Sequence, residues 1–285
     1  MNLAKQNYEI HILSTEKKEN FLKNKSIIQE LCDNSNIKWD WITYTKRPPI
    51  LSTLKDVRAL TKKAVALHKE LNFDIVHCRS YISALVGLKM KRRYSVKFLF
   101  DMRGFWADER VDGNIWNLKI LPFKKVYNYF KKKEEDFLLN ADQVVSLTYN
   151  GKGEMRSWKY LQGKVDNISV IPCCADLNHF DYNTNKRDEK IKSDLSIPIE
   201  NQVICYLGSI GTWYMMNEML DYFKVHLKKF PQTTFLWITK DDSSSIIDAA
   251  KIRGIENSIT IQPSERKGLP KLLSVCDASI FFIKP

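Results

Sequence analysis

Short apolar runs alternating with amphipathic helical patterns, along nearly the whole chain, constrain the fold more than any other feature of this sequence. Glu9 to Leu13 (EIHIL), Asp74 to Cys78 (DIVHC), Lys97 to Asp101 (KFLFD) and Gln143 to Leu147 (QVVSL) each read as a strand. Ile37 to Tyr44 and Asn167 to Ile171 add two more. Between them lie helical patterns over Glu19–Leu31, Leu54–Leu71, Tyr81–Lys91, Leu121–Leu139 and Lys152–Tyr160. Leu60, Ala64, Leu67 and Leu71 show the three- and four-residue spacing that puts apolar side chains on one helix face. The stretch between Asp101 and Leu121 is expected as a loop. Strands that are apolar throughout and separated by helices form parallel sheets covered on both faces. Such sheets bind ligands at the carboxyl ends of their strands. That rule singles out His77, Arg79, Asp101, Arg103, Ser146 and Thr148.

The pattern breaks between Cys173 and Glu200, where Asn178, Asp181, Asn183, Asn185 and a charged stretch form a polar connector with Pro198 near its end. It restarts with a strand at Gln202–Leu207 and a helix from about Trp213 to Phe230. A strand at Thr233–Thr239, a helix at Ser244–Ile252, a strand at Ile259–Gln262, a helix at Gly268–Val275 and a strand at Ala278–Ile283 follow. The expected organisation is a Rossmann-like α/β domain over 1–175, a linker over 176–200 and a second, incomplete Rossmann-like domain over 201–285. The chain enters at a strand and stops on one, so both halves are expected to lack an end.

Composition narrows the function classes. The six cysteines (Cys32, Cys78, Cys173, Cys174, Cys205, Cys276) have no C-x-x-C spacing, which argues against a disulfide framework or a zinc site. No run approaches the roughly 20 apolar residues of a membrane span, and the first residues carry no signal-peptide core. A cytoplasmic location is the expectation. A formal net charge of +12 suits an anionic partner: nucleic acid, anionic lipid or a sugar nucleotide. The basic residues are dispersed and no nucleic-acid-binding module is visible, so nucleic acid is not expected. The stretch from Ile115 to Phe137 interleaves Trp116, Leu121, Phe123, Tyr127 and Phe130 with Lys119, Lys124, Lys125 and Lys131–Lys133. Such a stretch reads either as an ordinary sheet-covering helix or as a peripheral contact with an anionic membrane.

Four segments together resemble the family 4 glycosyltransferases. They are Asp74-Ile-Val-His-Cys with the small residues Ser83, Ala84 and Gly87 after it; Phe100-Asp-Met-Arg-Gly-Phe-Trp-Ala-Asp-Glu; Ala141-Asp-Gln-Val-Val-Ser with Val170-Ile-Pro-Cys-Cys-Ala-Asp-Leu-Asn-His-Phe; and Tyr206-Leu-Gly-Ser-Ile-Gly. The resemblance implies the GT-B fold of two Rossmann-like domains and transfer of a sugar from a nucleotide diphosphate to an acceptor hydroxyl with retention. The setting it implies is bacterial surface polysaccharide assembly on a glycan or lipid-linked acceptor. The chain also departs from the family. The usual first strand with its glycine-rich loop, and the glutamate pair that grips the donor, are not found. Cys173-Cys174 stands where relatives carry Asn-Gly, and Ser209 where they carry Arg.

Expulsion of a diphosphate needs backbone N–H donors or positive charge at the departing phosphates. Gly208, Ser209 and Gly211 after the Gln202–Leu207 strand fit that need, and so does Lys240 after the Thr233–Thr239 strand; a plain tight turn and a surface lysine are the bland readings. Arg103 stands where many relatives place a histidine, and an arginine cannot act as a general base at neutral pH. With Asp101 and His77 it makes the candidate catalytic set, against a structural Arg–Asp pair and a satisfied, half-buried histidine. Asp108 and Glu109 share the Arg103 loop. No D-x-D triplet occurs, so no metal is expected, and no cofactor beyond the donor itself. The alternatives are a non-catalytic remnant or sugar-nucleotide-binding module, and a sugar-nucleotide epimerase of the same fold.

Overall fold

The computed structural model describes residues 3–284 apart from 7, 49, 164–166, 182–187 and 212. The chain forms two compact units, Met1–Cys173 and Cys174–Pro285.

The first unit begins with β1 (Ile10–Glu16), α1 (Lys18–Asp33), β2 (Ile37–Thr43) and α2 (Leu51–Leu71). It continues through β3 (Ile75–Arg79), α3 (Ser80–Tyr94), β4 (Lys97–Asp101), α4 (Trp106–Asp112), α5 (Leu121–Asn140), β5 (Gln143–Ser146), α6 (Tyr149–Ser157) and β6 (Ile168–Val170). Its strands make two ladders, β1–β2 and β3–β4–β5–β6, and every pairing is parallel. Leu13 and Ile42 of the first ladder and Val76 of the second pack around Leu60, Val86 and Met90, so one layer of helix side chains serves both.

Alternation along β4 shows how the larger core is built. Phe98 and Phe100 point to the helices and are fully buried among Tyr81, Leu88, Phe137 and Leu138. Lys97, Leu99 and Asp101 take the opposite face. Gly87 lets α3 lie against this layer, because a Cβ there would meet the Phe98 ring at 2.6 Å as well as Cys78 Sγ. Burial pushes the Cys78 thiol up to about 12, so it behaves as a small hydrophobe.

The second unit contains α7 (Glu189–Asp194), β7 (Gln202–Leu207), α8 (Met216–Lys229), β8 (Thr233–Ile238), α9 (Ser244–Arg253), β9 (Ile259–Ile261), α10 (Leu269–Ser274) and β10 (Ala278–Ser279). The parallel sheet runs β10–β7–β8–β9. Every residue of the inner strand β8 is buried. Tyr206, Phe235 and Trp237 face Met219, Phe223 and Ile246, while Val203, Cys205, Leu236 and Ile238 face Ile197 on the other side. A strand covered on both faces reads as continuously apolar, and β8 does from Phe235 to Ile238.

Several expected boundaries move for identifiable reasons. The loop between Asp101 and Leu121 contains α4, which is too short to show an apolar stripe. The polar stretch 176–200 contains α7, and Lys192, 1% exposed, donates to the carbonyls of Ile199 and Asn201 at 2.8 Å each. Those bonds tie the stretch to the second unit; Asn183 and Asn185 lie outside the described residues. α6 starts at Tyr149, ahead of the expected Lys152, because the Thr148 hydroxyl caps it by accepting the Gly151 N–H at 2.9 Å. α8 starts at Met216 and not at Trp213, because Tyr214 is held in bridges to Gly211 and Ile283. β10 is correspondingly shorter than Ala278–Ile283.

Candidate functional site

In the first unit the chain leaves β4 through two unusual backbone positions, Arg103 at φ +66° and Gly104 at φ +155°. Gly104 supplies a backbone conformation that L side chains rarely adopt, at the turn that leads from β4 into α4. The turn creates a cavity of about 280 Å³ whose wall includes Arg103, Asp108, Glu109 and Asp112, with Ser146 and Thr148 from the end of β5. Burial, reinforced by Asp108 and Asp112 against the opposing pull of Arg110, pushes the Glu109 carboxyl above its ordinary range. The Arg103 guanidinium lies 3.9 Å from Cys173 Sγ.

Asp101 and His77 stand apart from this cavity. They sit on neighbouring strands, with Arg79 in register opposite Asp101. His77 Nε2 is 3.6 Å from Asp101 Oδ2, and Asp101 Oδ1 is buried without a hydrogen-bond partner. The His77 side chain is 58% exposed, on the same outward face as Ile75 and Arg79. The three expected catalytic residues thus divide into Arg103 in the cavity and a His77–Asp101 pair beside it.

A chain of charged groups, buried at Glu134 and partly exposed at Asp108 and Lys131, supports the cavity wall, and sequence reasoning missed it. Asp108 accepts from Tyr127 Oη at 2.8 Å and Lys131 Nζ at 2.9 Å. Lys131 also pairs at 2.5 Å with Glu134, which is 1% exposed and accepts from the Tyr81 hydroxyl. Burial drives Glu134 above its ordinary value even though Lys131 and Tyr81 pull it down. Lys131 is lowered by burial and raised more by its two carboxylate partners, for a net rise. We take the pair as ionised, since a lysine between two carboxylates keeps its proton. The signal in the sequence is a glutamate on the apolar stripe Phe130, Glu134, Phe137, Leu138 of α5.

A wider hollow of about 600 Å³ elsewhere in the unit is bounded by His11, Asp40 and Lys63. It also takes in Asn36 and Ile37, at the amino end of β2, the end of a parallel sheet that does not bind ligands. Lys63 and His11 hold Asp40 at 2.5 and 2.7 Å, and these bonds keep its carboxyl below the usual range.

On the basic stretch, Trp116, Tyr127 and Phe130 turn inward to the main core. Ile115, Ile120 and Leu121 form an exposed apolar tip beside exposed Lys119, Lys124 and Lys125. Among the described residues no helix is long and apolar enough to cross a membrane.

In the second unit the turn after β7 is shaped from within. Tyr206 Oη donates to the Ser209 carbonyl at 2.6 Å, and a Cβ at Gly208 would lie 2.6 Å from that hydroxyl oxygen. Gly208 therefore makes room for Tyr206. Gly211 has φ +90° and open space around it. The Ile210 N–H is bound by Asp241 Oδ2 at 2.6 Å, and Lys240 is paired with Glu265 at 2.7 Å. The next helix, α8, begins only at Met216, beyond this turn.

Comparison with known proteins agrees with this architecture. A sucrose-phosphate synthase from Thermosynechococcus elongatus superposes with a TM-score of 0.66 at 12% identity, covering 95% of this chain and 75% of its own. Anabaena HepE, solved with UDP and glucose, gives 0.63 at 13% identity, covering 95% and 73%. A glycosyltransferase from Rickettsia africae gives 0.62 at 16% identity, covering 95% and 72%. These likenesses establish the GT-B fold. No curated protein matches the sequence. The model of Glycosyltransferase Family 4 matches residues 1–179, more than half of the 285-residue chain, and the protein belongs to that family.

Proposed function

We propose that this protein transfers a sugar from a nucleotide diphosphate to an acceptor hydroxyl, with retention at the anomeric carbon and without a divalent metal. The observation that carries the reading is the family match over residues 1–179, within which the β4 strand end presents Arg103 to a cavity walled by Asp108 and Glu109. That match also favours transfer over epimerisation. In this reading the carboxylates accept hydrogen bonds from acceptor hydroxyls, and Arg103 supplies fixed positive charge. His77 and Asp101 contact the ligand from the neighbouring strand ends. Gly208, Ser209, Gly211 and Lys240 serve the donor diphosphate in the second unit, and the UDP and glucose held by HepE support a nucleotide-sugar donor.

Calorimetric titration with UDP, GDP and a UDP-sugar, without added metal, tests the donor half. Micromolar binding is expected for at least one, and Gly211→Val is expected to abolish it, because valine does not tolerate φ +90°. Absence of binding to all three would make the chain a non-catalytic relative.

The acceptor in this reading is a glycan carried on lipid during bacterial surface polysaccharide assembly, which places the protein on the cytoplasmic face of the membrane. The apolar tip at Ile115, Ile120 and Leu121, flanked by lysines, supports peripheral contact. Flotation with phosphatidylglycerol vesicles at low salt should carry the chain upward, and high salt should release it. Each lysine near the surface is worth about 1 kcal/mol, so Lys124→Glu with Lys125→Glu should abolish flotation. Unchanged flotation of that double variant would remove the tip from the reading.

A further inference from the structure

The turn after β7 already holds an anion, and that anion belongs to the chain. β7 and β8 are neighbours in parallel register, Leu207 opposite Ile238, so the loops beyond them emerge side by side. From the β8 loop, Asp241 reaches the β7 turn and accepts the Ile210 N–H through Oδ2 at 2.6 Å. A backbone N–H in a glycine turn is the group such a turn offers to phosphate, and a carboxylate is the side chain closest to a phosphate oxygen in charge and geometry. The adjacent Lys240 is engaged in the same way, by Glu265 from beyond β9 at 2.7 Å. The Ile210 N–H of this turn and Lys240 are therefore both matched by acids, while Tyr206 fixes the turn from behind through the Ser209 carbonyl.

We propose that Asp241 and Glu265 are place-holders for the donor diphosphate, which binds by displacing Asp241 from the Ile210 N–H and Glu265 from Lys240. The proposal rests on the donor reading of the second unit given above. Both acids are solvent-exposed, and Glu265 is 79% so, which means that water takes over their charge once they are displaced. A diphosphate brings more charge and more acceptor oxygens than either carboxylate, and so wins the exchange. Until it arrives, the carboxylates hold the amide and the ammonium in place and turn away weaker anions.

The test titrates the wild-type chain, Asp241→Ala, Asp241→Asn, Glu265→Gln and Lys240→Ala with UDP and with inorganic pyrophosphate, and follows the Ile210 amide by NMR. Removing the competing carboxylate should tighten UDP about tenfold in Asp241→Ala, and the Ile210 resonance should shift on adding pyrophosphate. Asp241→Asn, which keeps an acceptor but loses the charge, should tighten less, and Glu265→Gln about threefold. Lys240→Ala should weaken binding. Equal or weaker UDP binding by Asp241→Ala, with the wild type binding, overturns the proposal. UDP binding without any response at the Ile210 amide also overturns it, while leaving the donor reading intact. An Ile210 response to pyrophosphate without UDP affinity in any variant would uphold the place-holder and overturn the nucleotide reading.

Discussion

Replacing Lys131 with methionine is expected to lower the unfolding free energy by about 3–5 kcal/mol near pH 8. The change leaves Glu134, 1% exposed, with only the Tyr81 hydroxyl to balance its charge, and leaves Asp108 bound by Tyr127 and no longer by Lys131. The loss should shrink in acid. Glu134 already lies above its ordinary value of 4.5, so the stability tied to its proton is present below that value and is lost as pH rises through the folded one. Removing Lys131 takes away a lowering influence, moves the folded value further up and extends the loss toward neutral pH. Urea unfolding of wild type and variant at pH 5 and pH 8 measures this. A second substitution, Glu134→Gln, should restore much of the stability at pH 8 by removing the stranded charge. Equal losses at the two pH values, with no rescue, would show that Lys131 contributes by packing alone.

The second large effect concerns Arg103. Arg103→Gly is expected to lower sugar transfer about 100- to 1,000-fold while leaving stability unchanged or up to about 1 kcal/mol higher. The residue holds φ +66°, a conformation that costs an arginine and not a glycine, partly offset by the greater freedom of glycine in the unfolded chain. Arg103→Ala keeps the strain and removes the charge, so it should lose transfer and gain no stability. The readouts are thermal unfolding and transfer from whichever nucleotide-sugar binds best. Strain retained at a cavity wall points to use of the side chain. Full transfer by either variant would take Arg103 out of the reaction.

Much of the architecture is written locally. A buried parallel strand must be apolar, and a helix on its face must repeat every three or four residues, so both show within a short window. β4, β8, α2 and α5 were legible for that reason, and the strand-end rule led to Arg103, His77 and Asp101 without coordinates. The helices α4 and α7 were hidden, being too short to carry a stripe and, for α7, anchored by the buried Lys192.

The candidate site shows the same division. Sequence by itself determined the βα alternation, two rounds of it, and which residues fall at strand ends, because these follow from the spacing of apolar side chains along one segment. Only the tertiary structure decided that Arg103 enters a cavity which His77 and Asp101 do not line, that Tyr81 and Glu134 meet across 53 residues, and that Asp241 covers the Ile210 N–H across 31. Such pairings depend on which strands lie side by side and on how far burial raises the cost of an unpaired charge. Neither quantity has a signature in a local window.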